Sequence, residues 1–249
     1  LGMPVFYWPS LNGNSNQGSY YISGLAVKND NVFGFQTYTK WDVFQLFGIA
    51  KPPQNTEWDL NLDYLSDRGF GFGTEASYNM VDPYGPRTLN KGIVDAWGIF
   101  DEGVDNLGRD RRQLVPEEDF RGRLLWQHRN RFANGIEFTA EVGLVSDRNF
   151  LEQYREREWD ENKDQITGLQ LKKLWGNQSF NVSANVRTND FFTQNNQLPS
   201  LNYFLLGQSF LNDRLTWSTQ TNVGYNKLQT ADAPIDPVDA AKFDPLAWE

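Results

Sequence analysis

A two-residue alternation of apolar and polar side chains recurs along this chain and limits what it can fold into. Trp58, Leu60, Leu62 and Tyr64 alternate with Asp59, Asn61 and Asp63. Ile136, Phe138, Ala140, Val142 and Leu144 alternate with Glu137, Thr139, Glu141 and Gly143. Phe180, Val182, Ala184 and Val186 alternate with Asn181, Ser183, Asn185 and Arg187. Leu215, Trp217, Val223 and Tyr225 share one parity set, and Arg214, Thr216, Ser218, Gln220 and Asn222 the other. Successive strand side chains point to opposite faces, so each segment is apolar on one side and polar on the other. The segments reach about ten residues or more, against about 5 or 6 for an ordinary strand. Tilted strands of that length cross a bilayer. The expected fold is all-β: part of an antiparallel outer-membrane β-barrel with about eleven long meander strands.

Composition excludes several function classes. The net charge is −9, and Arg109, Arg111 and Arg112 are soon followed by Glu117, Glu118 and Asp119, so no basic stripe exists to hold nucleic acid. Cysteine is absent and His128 is the single histidine. Disulfides, thiolate metal sites and Ser-His or Cys-His catalysis are thereby removed, and no cofactor or catalytic residue is expected. No apolar run approaches the roughly 18 residues of a membrane helix. The hydrophilic mean hydropathy suits a membrane barrel, in which only alternate strand residues meet lipid.

The alternation predicts strands at 19–28, 32–47, 57–66, 69–80, 92–100, 121–129, 135–146, 165–175, 178–188, 199–208 and 213–226. Residues 1–18 read as an entry linker, 19–228 as the barrel part and 229–249 as a loop or tail. Asn29-Asp30-Asn31, Asp67-Arg68-Gly69, Asn134-Gly135 and Gly176-Asn177 are tight-turn sequences. The connections 101–120 and 147–164 are long and charged, and 148–159 reads as a short helix within its loop. Tyr20, Tyr21, Phe44, Phe47, Tyr64, Phe70, Phe72, Tyr203, Phe204 and Tyr225 fall near strand ends, as in interfacial girdles.

The polar residues read as lumen lining rather than as catalysts. Glu137 and Glu141 are four strand residues, about 13 Å, apart, whereas a glycosidase pair needs about 5 to 9.5 Å. Asp59, Asp63 and Glu75 lie on neighbouring polar faces. Asp101, Glu102, Asp105 and Asp110 offer oxygen ligands but lack the spacing of a Ca²⁺ loop, so a solvated charged loop is expected. Gly69-Phe70-Gly71-Phe72-Gly73 reads as a strand with small lumen-facing residues, since no Lys-Ser/Thr follows to make a phosphate loop.

Several segments, in order, resemble the LptD family of outer-membrane lipopolysaccharide-assembly proteins, also called organic solvent tolerance proteins. Met3-Pro4-Val5-Phe6-Tyr7-Trp8-Pro9 is similar to the family's P-V-F-Y-x-P link between a periplasmic jellyroll and the barrel. Ile22 to Lys28 and Val32 to Phe47 resemble its first two barrel strands. Asp63 to Gly69 resembles an early strand and R-G turn, and Gly122 to His128 a later strand. Val145-Ser146-Asp147 with Phe150-Leu151 is similar to its V-S-D-x-x-[FY] strand end, and Leu198-Pro199-Ser200-Leu201 to its L-P-x-L strand start.

The resemblance implies the N-terminal part of a barrel of about two dozen strands, in the outer membrane of a Gram-negative (diderm) bacterium. It implies lipopolysaccharide translocation through the lumen and a lateral gate, with an LptE-like lipoprotein plug, periplasmic Lpt bridge proteins reached through the jellyroll, and surrounding outer-membrane lipid as partners. By that resemblance Tyr20, Ile22, Ser23, Gly24 and Ala26 form one lip of the gate, although the family's prolines in the first two strands have no counterpart here. Asp59, Asp63, Glu75, Glu137, Glu141, Asn181, Asn185 and Arg187 line the lumen. Two other readings share the compositional signals: a passive outer-membrane porin, and a soluble carbohydrate-binding β protein.

Overall fold

A computed structural model describes residues 21–108, 111–161 and 165–245. The expected linker 1–18 and the gate residue Tyr20 lie outside the described residues. The elements are β1 (Ile22–Asp30), β2 (Gly34–Asp42), α1 (Val43–Leu46), β3 (Thr56–Leu65), β4 (Gly69–Val81) and β5 (Leu89–Phe100). Then come β6 (Asp105–Gly108), β7 (Arg111–Leu114), β8 (Phe120–Arg131), β9 (Ile136–Val145), α2 (Phe150–Tyr154) and α3 (Glu156–Asp160). The remainder is β10 (Thr167–Trp175), β11 (Gln178–Val186), β12 (Gln194–Phe210), β13 (Leu215–Gln229) and α4 (Pro237–Ala240).

Eleven strands form one antiparallel meander in the order β1-β2-β3-β4-β5-β8-β9-β10-β11-β12-β13, leaving β1 and β13 as its open edges; β6 and β7 make a separate hairpin. The strand predicted over 32–47 stops at Asp42. The Asp42 carboxylate accepts the Gln45 N–H at 3.1 Å and starts α1, so local capping overrides the apolar run. The connection expected to be irregular over 101–120 contains the β6–β7 hairpin. The helix expected at 148–159 is divided into α2 and α3.

The described residues form two compact units. One draws on described residues within 21–78, 93–125 and 145–161, the other within 79–92, 126–144 and 165–245. In the first, Leu62 pairs with Thr39 and Phe72, and Asp63 pairs with Tyr38 and Gly71, so the register keeps the two parity sets on opposite faces. The apolar set is the exposed one. Leu62 is 55% exposed and Phe70 is 70% exposed, while Asn61 and Asp63 are 4% and 8% exposed. A soluble sheet buries its apolar face, so this polarity is inverted. On the exposed side the rings of Phe72, Phe100 and Phe120 cluster at 5.0 to 6.4 Å.

The polar side of this unit also carries a small apolar core, because α2 folds down onto it. The Phe150 ring lies 6.1 Å from that of Trp97, and Tyr154 lies 5.3 Å from Trp97 and 5.4 Å from Phe33. Glycines make room for Trp97. A Cβ added to Gly71 would meet its indole at 2.5 Å, and one added to Gly73 would meet the Ala96 carbonyl at 2.4 Å. The small residues expected on this strand thus serve close packing rather than an open surface.

In the second unit Leu171 pairs with Phe138 and Val182, and Val182 with Leu201, which in turn pairs with Val223. Leu171, Leu201 and Val223 are exposed, as is Trp217 on β13. The opposite parity runs Glu137, Lys172, Asn181, Asn202 and Asn222 across five strands. Here the apolar set is exposed, and on β13 the polar set is exposed as well.

Candidate functional site

The polar face of the first unit brings Asp59, Asp63 and Glu75 together. β3 and β4 place Asp59 opposite Glu75 and Asn61 opposite Gly73. Glu75 pairs with Lys40 and accepts the Asn61 amide at 3.0 Å. Asp63 is not an open lining group: it is buried, accepting the Trp97 indole N–H at 2.8 Å and the Thr39 N–H at 3.3 Å. On β1, the Ser23 hydroxyl donates to Asp59 at 2.6 Å, Gly24 faces Lys40 and Ala26 faces Tyr38. Ile22 is exposed, and the β1–β2 register slips between Ile22 and Gly24. A bulge at an edge strand weakens its ladder locally.

At the end of this face, the β3–β4 turn and the two long connections converge on a buried ionic cluster. Arg121, on β8, donates from Nε and Nη2 to both Asp147 oxygens at 2.9 Å. Its Nη1 and Nη2 reach Asp105 at 2.6 and 3.1 Å, and Nη1 also reaches Asp101 at 2.9 Å. Arg68 binds Asp101 at 3.1 Å, and the Tyr154 hydroxyl donates to Asp101 at 2.7 Å. The guanidinium of Arg68 stacks 5.3 Å from the Phe33 ring, and that of Arg121 5.4 Å from the Tyr154 ring. All five charged side chains are at most 2% exposed. Bidentate guanidinium–carboxylate geometry satisfies charges that could not otherwise be buried.

Three carboxylates face two guanidiniums, which leaves one excess negative charge. The loop groups reflect this. Burial pushes the Asp105 carboxyl above its ordinary value and outweighs its bonds from Arg121. Burial also acts on Asp101, but the Tyr154 hydroxyl, the Gly103 N–H and the two guanidiniums overcome it and hold Asp101 below its ordinary value. Burial, with Asp101 alongside, raises the Tyr154 phenol.

The expectation of a solvated loop at Asp101 and Asp105 is therefore corrected. Both are enclosed because arginines distant in sequence arrive to pair with them. Asp110 lies outside the described residues. No group of three or more potential metal-ligating residues occurs among the described residues. A second set of clamps holds α3: Arg123 bridges Asp95 and Glu158, and Arg155 approaches Asp95 at 3.5 Å. Arg121 and Tyr154 carry no sequence motif, and Arg68 and Asp147 are marked in the sequence only as parts of a tight turn and a strand end. The available signal was the shared inward parity of Arg121, Arg123 and Leu125 on β8.

In the second unit Glu137 lies between Arg129 and Arg131, at 2.8 and 2.7 Å. Glu141 accepts from Gln127 at 3.0 Å. The register places Glu137 in one row with Asn181, and Glu141 in one row with Asn185. Arg187 sits beyond β11 and caps the carbonyls of Asp190 and Thr230 at 2.8 and 2.6 Å. The arrangement offers hydrogen bonding and charge along a sheet face.

No family model matches this chain, and no curated protein matches it.

Proposed function

We propose that this chain belongs to an outer-membrane β-barrel that translocates lipopolysaccharide in the manner of the LptD family. The observation that carries the reading is the inverted polarity of the first unit: exposed Leu62 and Phe70 on one face, against buried Asn61 and Asp63 on the other. A bilayer stabilises that arrangement, and water does not. An open sheet edge is not stable in lipid, so β1 and β13 would pair with further strands on closure. The polar face then lines the lumen for sugars, while lipid A leaves along β1. The bulge beside Ile22 supports a weak seam at that edge. The ordered sequence resemblance favours this over a passive porin.

The test places a photoreactive residue at Ile22 of the full-length protein in living cells. A lipopolysaccharide adduct supports the gate. No adduct, together with steady ion conductance in planar bilayers, would replace the translocon with a passive channel.

A further inference from the structure

Resting on the membrane placement proposed above, we infer that Lys173 and Gln178 form a binding site for the phosphate of an anionic glycerophospholipid on the apolar face of the second unit. Lys173 stands between Ile136 and Phe180 in the register, Phe180 pairs with Tyr203, and Trp175 pairs with Gln178. Leu171, Trp175 and Phe180 on this face are exposed, and so is Lys173. The other parity of β10 carries Lys172, opposite Glu137 and Asn181. The parity set of Lys173 holds no carboxylate on β10, and the set of Phe180 holds none on β11.

An ammonium on a lipid-facing surface is costly at the bilayer centre and tolerated near the interface, where headgroups begin. The rings around Lys173 mark that level, because Trp and Tyr gather at the membrane–water boundary. Strand β10 ends at Trp175, and the Gly176-Asn177 turn leads straight into β11. Short turns lie at the periplasmic rim of bacterial barrels, so the lipid belongs to the periplasmic leaflet.

Gln178 supplies the second contact. The Tyr203 hydroxyl donates to Gln178 Oε1 at 2.9 Å. With that oxygen engaged, the amide keeps its N–H donors for another partner. Lys173 and Gln178 are diagonal neighbours across β10 and β11, and long side chains so placed come within reach of each other. An ammonium and an amide N–H give a phosphate a charge-assisted bond and a neutral one. Charge complementarity selects the occupant: an uncharged headgroup would leave Lys173 without a counter-charge. The acyl chains then lie along Leu171, Phe138 and Val182, one row nearer the sheet centre.

The experiment uses the full-length protein in detergent micelles, titrated with phosphatidylglycerol or with a diacylglycerol of the same chains. Native mass spectrometry counts the retained lipid. The expected result is preferential retention of phosphatidylglycerol, weakened about tenfold in Lys173→Gln, less in Gln178→Leu, and restored in Lys173→Arg. Lys172→Gln, on the opposite face, should bind as the native protein does. Native-like retention by Lys173→Gln, an equal loss in Lys172→Gln, or displacement of the lipid by inorganic phosphate alone would overturn the site and leave the translocon reading standing. A full-length protein that stays monodisperse without detergent would overturn both.

Discussion

Replacing Arg121 with Met removes the hub that fastens both long connections to the sheet. Arg121 donates to Asp101, Asp105 and Asp147 through five hydrogen bonds, and its side chain is 0% exposed. Without it, Asp101 and Asp105 are left with the single guanidinium of Arg68, and Asp147 loses its guanidinium partner. Breaking a buried ion pair by deleting one partner costs about 3 to 5 kcal/mol. Summing five charged bonds would give more, but protonation and water entry relieve part of the strain. A shift of that size raises the open population of the 147–161 segment by about two to three and a half powers of ten. Amide hydrogen exchange in lipid nanodiscs reads it directly. Gln153 N–H donates to Asn149 at 2.9 Å and Arg155 N–H to Leu151 at 2.7 Å in the closed loop. Both should exchange at least about a hundredfold faster in Arg121→Met, while amides in the centre of β3 keep their protection. Arg121→Lys should be intermediate, since an ammonium has no planar fork to hold two carboxylates. Exchange at Gln153 and Arg155 within a few-fold of the native rate would refute the view that the cluster fastens the loop.

Two further outcomes follow from the same unit. Gly73→Ala should lower stability by about 1 to 3 kcal/mol, because its Cβ meets the Ala96 carbonyl at 2.4 Å. Gly108→Ala meets nothing within 4 Å and should be silent; the temperature at which each variant loses its folded gel mobility checks the difference. Acidification should act in two stages. Asp105 titrates above its ordinary 3.8 in the folded state, so loop closure strengthens as pH falls through that folded value toward 3.8. Asp101 titrates below 3.8, so its contribution, full above 3.8, is lost as pH falls through its lower folded value. Loop protection, corrected for intrinsic exchange, should therefore rise and then fall between pH 7 and strong acid; a steady decline from pH 7 would contradict the charge balance assigned to the cluster.

Strand positions were legible because a period of two specifies register strongly wherever one face is distinct. The strand predicted over 57–66 is Thr56–Leu65, that over 69–80 is Gly69–Val81, and that over 135–146 is Ile136–Val145. The end of β2 was also legible in principle: Asp42-Val43-Phe44-Gln45 is a capping sequence, hidden within an apolar run that reads as strand. The ionic cluster was not. Its Arg68–Asp101 and Arg121–Asp147 contacts join residues 33 and 26 positions apart, and alternation says nothing about where charged loops fold back. Sidedness was the deepest gap. Alternation distinguishes two faces but not which one meets the solvent, and a soluble sandwich and a membrane sheet can carry the same pattern. Exposure distinguishes the two faces of β3. Leu62 at 55% and Asn61 at 4% are adjacent on β3. An apolar medium favours exposing the leucine while the amide is enclosed, so the proposed membrane placement depends on this one neighbouring pair more than on any motif.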